Sequence, residues 1–246
     1  HMHGELLAGL KGYMDGILKN PNRKLSTAWY PGLQGILAAY LGPIPETFKY
    51  KGKEYTPKSY FASLNVNMED YYDFTSWTHL SYYEKHPVEV ADNWRWEEAY
   101  NVPMDEMMAI IDNAVMNGYT VAWDGDLTAG EFQHNRGIAI CPEPKDFAEA
   151  GKLEKVFPDR VVTQEVRQKD FETFRTVDDH LMHLTGLFRD QNGNLFYKTK
   201  NSWGEGRNED MKGYLYMSRA YVQMRVVSIM VHKDAIPKDI RKKLGL

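Results

Sequence analysis

The chain has 246 residues, of which 43% are hydrophobic and 13% aromatic, enough for one large packed domain or two small ones. A formal net charge of −4, with one dense basic run in the C-terminal "IRKKLGL", gives no footprint for capturing nucleic acid, and no apolar run approaches the ~20 residues that a membrane span requires. A single cysteine, Cys141, excludes an intrachain disulfide framework and a multi-thiolate zinc site; with no basic-then-apolar leader at "HMHGELL", a reducing, cytoplasmic setting is expected.

From His3 to Leu18, Leu6, Leu10, Met14 and Ile17 recur at helical spacing, although Gly9, Gly12 and Gly16 weaken that helix. A second helix is expected from Pro31 to Tyr40, stopped by Gly42 and "PIP". Phe48, Tyr50 and Tyr55 flank Gly52 in a small hairpin, and Thr56 with Pro57 forms an N-cap and first helical residue. Residues 65 to 101 are rich in Tyr and Trp without a sustained period and read as irregular covering structure.

A further helix begins near Pro103, carries Met107, Ile110, Ile111, Ala114 and Val115 on one side, and ends at Gly118; the apolar "YTVAW" of 119–123 follows as a strand. Thr163 caps a helix ending near Phe174. Four strand candidates then follow: "LMHLTGLFRD", "LFYKTKNS", "GYLYM" and "VVSIMVHK", the first two bracketing a "QNGN" hairpin signal. Helices first and antiparallel sheet later read as an α+β fold, divided into a helical and irregular segment, 1–100, and a β-rich segment, 101–246.

Within the hairpin, His180 and Asn201 attract chemical interest. A tight Asn192-Gly193 turn would set Asn201 opposite Leu184, on the same face as His180 but four residues, about 13 Å, along the strand. A longer or bulged loop is therefore expected if the two are to meet. An amide oxygen accepting one ring N–H fixes the imidazole tautomer and frees the other nitrogen for a nucleophile, and Trp203 could shield that bond from water. A structural role for the same pair is the bland alternative. His183 invites a metal reading through "HLMH", but residues three apart on a strand face opposite sides.

"TVDDHLMHLTGL", "YKTKNSWGE" and "KGYLYMS" resemble the histidine and asparagine segments of papain-like cysteine peptidases, closest to the bleomycin hydrolase and aminopeptidase C branch. "LAAYLGPIPETFKYKGKEYTPKSYF" and "VVSIMVHKDAIPKDIRKKL" extend the resemblance over most of the chain. It implies a papain-like fold, with 101–246 the β-rich half of the catalytic domain. His180 would be the catalytic imidazole, Asn201 its orienting partner, Trp203 the shield of their bond and Asp179 a supporting residue. It implies peptide substrates shortened from their N-termini, no cofactor or metal, and a homo-oligomer.

One departure stands out. No "Q-x-x-x-x-x-C-W" pattern occurs, and Cys141, in "RGIAICPEPKD", reads as a core or loop residue and not as a nucleophile at a helix start. The expectation is a C-terminal portion of a cysteine-type aminopeptidase, inactive alone because the thiol belongs to a missing N-terminal segment. The alternatives are a non-catalytic binding or scaffold module that keeps the fold, and, ranked last, a metal-dependent hydrolase using His180, His183 or His134.

Overall fold

In the computed structural model, which describes residues 2–127, 130–146, 152 and 158–246, the chain divides between Val66 and Asn67. In the first unit α1 (His3–Leu18) and α2 (Trp29–Leu41) pair. The Tyr13 hydroxyl donates to the Trp29 carbonyl at 2.9 Å, and the Tyr40 hydroxyl to Glu5 Oε1 at 2.6 Å. The approach is close enough that a Cβ at Gly32 would meet the Tyr13 hydroxyl at 2.2 Å. Strands β1 (Phe48–Tyr50) and β2 (Lys53–Tyr55) form the expected hairpin, its turn needing positive φ at Lys51 and Gly52. Thr56 and Ser59 then close a reciprocal capping box on α3 (Pro57–Ser63). None of these three helices contains a buried residue.

The second unit carries a ten-stranded sheet, in the order β4-β5-β3-β12-β6-β9-β10-β11-β8-β7. Its strands are β3 (Tyr71–Thr75), β4 (Lys85–Pro87), β5 (Glu98–Asn101), β6 (Val121–Gly125), β7 (Phe132–Gln133), β8 (Ile138–Ala139), β9 (His180–Arg189), β10 (Leu195–Lys200), β11 (Tyr214–Ser218) and β12 (Val226–His232). Pairing is antiparallel except for β3 with β5 and β8 with β11. The helices are α4 (Met104–Met116), α5 (Gln164–Glu172, capped by Thr163), α6 (Arg219–Arg225) and α7 (Lys238–Leu244). Helix α4 lies against β9 and β6 and buries Met107, Ile110, Ile111 and Ala114 of the face that its 3.6-residue period marked out, with Met108 added and Val115 half-buried. Among the described residues no helix is long and apolar enough to cross a membrane.

Residues 65–101 depart from the irregular covering structure expected. They supply β3, β4 and β5, and β3 pairs with the final strand β12. The stretch from Asn67 to residue 100 thus folds with the sheet unit and not with the helices before it. Trp77 is fully buried, stacked on Phe171 with centroids 3.8 Å apart, while Trp94 and Trp96 are exposed. Strands of three to five residues, one of them, β3, paired to a segment more than 150 residues away, leave no local period to read.

Candidate active site

The β9–β10 hairpin sets the geometry. Its loop is longer than a two-residue turn: the Asp190 N–H donates to the Asn194 carbonyl at 3.0 Å, with Gln191, Asn192 and Gly193 between, and Arg189 pairs with Leu195. Carried down the ladder unchanged, that register would place Asn201 opposite His183, on the wrong face. A bulge intervenes. Lys198 pairs with Gly186 but Thr199 with Leu184, so Thr185 is the extra residue. Continued one step past Lys200–His183, the shifted register sets Asn201 beside Met182, whose side chain shares the buried face of β9 with His180. The remaining offset is one diagonal step, within reach of a histidine ring.

The two side chains meet, with His180 Nε2 at 2.8 Å from Asn201 Oδ1. Asn201 is 2% exposed, and its oxygen also accepts the Ser202 N–H at 2.7 Å. A backbone N–H can only donate, so the oxygen end of the amide is fixed and His180 Nε2 must be a donor as well. That leaves Nδ1, which no hydrogen bond engages among the described residues, as the nitrogen available to a reactant. The Trp203 ring lies 5.2 Å from the His180 ring, centroid to centroid, and the Arg207 guanidinium stands 5.4 Å from the Trp203 ring.

Asp179 acts at the start of β9. Its carboxylate accepts the Leu127 N–H at 2.9 Å, its own N–H donates to the Gly125 carbonyl at 3.3 Å, and the Val177 N–H donates to Asp126 Oδ2 at 3.1 Å. These bonds lace the strand's approach to the end of β6, where Gly125 pairs with His180 itself. One residue earlier, the Asp178 carboxyl neighbours that of Asp124. Burial first, then that neighbouring carboxyl, raises Asp124 to about 8, and burial also raises Asp178.

His183 does not join the pair: it alternates to the exposed face of β9. No three His, Cys, Asp or Glu side chains gather as a metal-binding group among the described residues. Cys141 lies in the hydrophobic core, 1% exposed, and burial pushes its thiol up to about 12, so it is neither accessible nor ionised at neutral pH. The residue that sequence reasoning misplaced is His134. Named there only as a possible metal ligand, it packs beside Asn201 with its Nδ1 at 3.4 Å from the amide nitrogen.

The family model described as the Peptidase C1-like family matches residues 36–245. Among curated proteins, the chain is 25% identical over 142 residues to aminopeptidase C of Lactobacillus helveticus, covering 58% of this chain and 29% of that protein. It is 25% identical over 225 residues to aminopeptidase G of Lactobacillus delbrueckii subsp. lactis, covering 85% of this chain and 48% of that one. The chain thus spans less than half the length of the curated relatives it matches. Among solved structures, PepW from Lactobacillus rhamnosis HN001 superposes with a TM-score of 0.68 at 21% identity, over 99% of this chain and 57% of that one. That likeness is one of fold, and with the family match it agrees with the expected α+β, papain-like architecture.

Proposed function

Because the chain belongs to the Peptidase C1-like family, we propose that it is the C-terminal portion of a cysteine-type aminopeptidase. In this reading it supplies the acid–base pair to a thiol carried on a preceding segment. The observation that carries the reading is the 2.8 Å bond between His180 and Asn201 beside Trp203, in a chain whose own cysteine is buried and un-ionised. His180 Nδ1 takes the thiol proton and forms the ion pair. The thiolate attacks the peptide carbonyl, the imidazolium protonates the departing amine, and a water activated by the same nitrogen then releases the acyl group. Asn201 holds Nε2–H throughout, and Asp179 anchors the strand start that carries the ring. The substrates are peptides shortened from their N-termini, in keeping with the two relatives named as aminopeptidases. The chemistry uses side chains alone, and assembly into a homo-oligomer remains part of the proposal.

The experiment is hydrolysis of aminoacyl fluorogenic substrates. The purified chain should show none. Adding the thiol-bearing segment should restore turnover, which alkylation abolishes and His180→Ala lowers by roughly 10²–10⁴-fold. Turnover by the isolated chain that survives alkylation defeats the proposal. The burial of Cys141 also favours a second reading, a scaffold module without catalysis. A mixture that assembles with the thiol segment and still shows no turnover selects it.

A further inference from the structure

Asn201 has a second polar neighbour that the bond to His180 does not use. His134, between β7 and β8, is 5% exposed. Its ring meets Trp203 edge-on with centroids 5.0 Å apart and stacks on Phe132 at 6.4 Å. The backbone is anchored too: the Asn208 side-chain amide donates to the His134 carbonyl at 2.7 Å. The ring's Nδ1 lies 3.4 Å from Asn201 Nδ2, while its buried Nε2 has no hydrogen-bond partner among the described residues.

One backbone group places the protons on all three side chains. The Ser202 N–H fixes Asn201 Oδ1 on its own side of the amide, so Nδ2 points at His134. An amide NH2 can only donate, which makes His134 Nδ1 the acceptor and puts the ring's one proton on Nε2. Among the described residues that buried Nε2–H then finds no acceptor, a cost that a phenylalanine filling the same space would not carry.

We propose that His134 is a positioning residue: its unprotonated Nδ1 holds the Asn201 carboxamide from behind, so that Oδ1 stays aimed at His180 Nε2–H. The ring is kept neutral by its surroundings. Burial first, then the neighbouring Arg207, His180 and Lys200, lower its pKa below the ordinary histidine value. Protonation would set two donors against each other, so the arrangement holds at neutral pH and fails on acidification below that value. The functional weight of this inference rests on the reading of His180 and Asn201 as the acid–base pair, but its test follows protons and not turnover, so its failure would leave that reading intact.

The test is nitrogen-15 NMR of the imidazole and carboxamide groups in the full 246-residue chain near neutral pH. Neutral His134 should appear as the Nε2–H tautomer, with one Asn201 amide proton shifted downfield. His134→Leu should abolish that shift and speed solvent exchange of His180 Nε2–H roughly fivefold, the weight of one net hydrogen bond. His134→Gln, which returns an acceptor oxygen, should restore the slow exchange. A wild-type His134 carrying its proton on Nδ1, or a folded His134→Leu chain with unchanged His180 exchange, overturns the proposal. Should His134→Leu fail to fold, the wild-type tautomer decides alone.

Discussion

Trp203 is a wall shared by two imidazoles, with ring centroids 5.2 Å from His180 and 5.0 Å from His134. At 38% exposed it stands partly in solvent, and Arg207 lies against the ring. A hydrogen bond gains from a low local dielectric and weakens when water competes for its partners. Trp203→Ala should therefore open the His180–Asn201 bond to exchange and lower stability by about 1–3 kcal/mol, less than the 3–5 typical of a fully buried indole. Trp203→Phe should keep most of both. Denaturant titration read beside the exchange of His180 Nε2–H checks this, and an alanine variant with wild-type exchange would show that the indole shields nothing. Asn201 and Trp203 were legible because "KNSWG" sets a polar amide at the end of a strand with an indole two residues on. His134 was not, because its partner is 67 residues away and nothing in Gln133-His134-Asn135-Arg136 signals a buried ring.

The β9–β10 hairpin is the element on which the site depends, and its register is the product of two irregularities. The three-residue loop alone would turn Asn201 to the face of His183, and the bulge at Thr185 returns it to the face of His180. Period-two patterning and the Asn-Gly signal were enough to find both strands, but a loop one residue longer and a bulge one residue wide both lie below what alternation can resolve. Gly186, an isolated glycine inside a strand and next to the bulge, was the available clue. Asp190 holds the loop: the Asn194 amide donates to its Oδ2, and the Asn194 and Asn192 backbone N–H groups donate to Oδ1, each at 2.8 Å. Those bonds, the Asn194 amide foremost, hold its carboxyl below the usual carboxylate range. A lowered folded-state pKa stabilises the fold above the unfolded value near 3.8 and is lost as pH falls through the lowered one. Amide exchange at Asn192 and Asn194 should therefore quicken in that acid window, while Asp190→Asn should show fast exchange already at neutral pH. Equal protection in both chains across the range would remove Asp190 from the account.

Over the whole molecule the two units are unequally provided with interior. Every buried hydrophobic residue lies between Phe74 and Ile240, so the sheet unit owns the core that fixes β6, β9 and β10, and with them His180 and Asn201. Its long-range pairing of β3 with β12 explains why the sequence places a boundary near residue 100 when the chain divides at 66: without a local period the aromatic stretch 65–101 reads as irregular and is grouped with the helices before it, and a sheet partner so far along the chain cannot be read from it. In the first unit Leu18, Leu41 and Ile44 are more than two-thirds exposed and no helix has a buried residue. Its hydrogen bonds and capping box each contribute about 1 kcal/mol, against an ordering cost of ~1–2 kcal/mol for every residue fixed. Residues 67–246 expressed alone should then unfold cooperatively and retain the slowly exchanging His180 Nε2–H, whereas residues 2–66 alone should lose most of their helix, as circular dichroism would show. If 67–246 instead melts without cooperativity or loses the His180 signal, the helical unit is part of what holds the pair, and the site cannot be ascribed to the sheet alone.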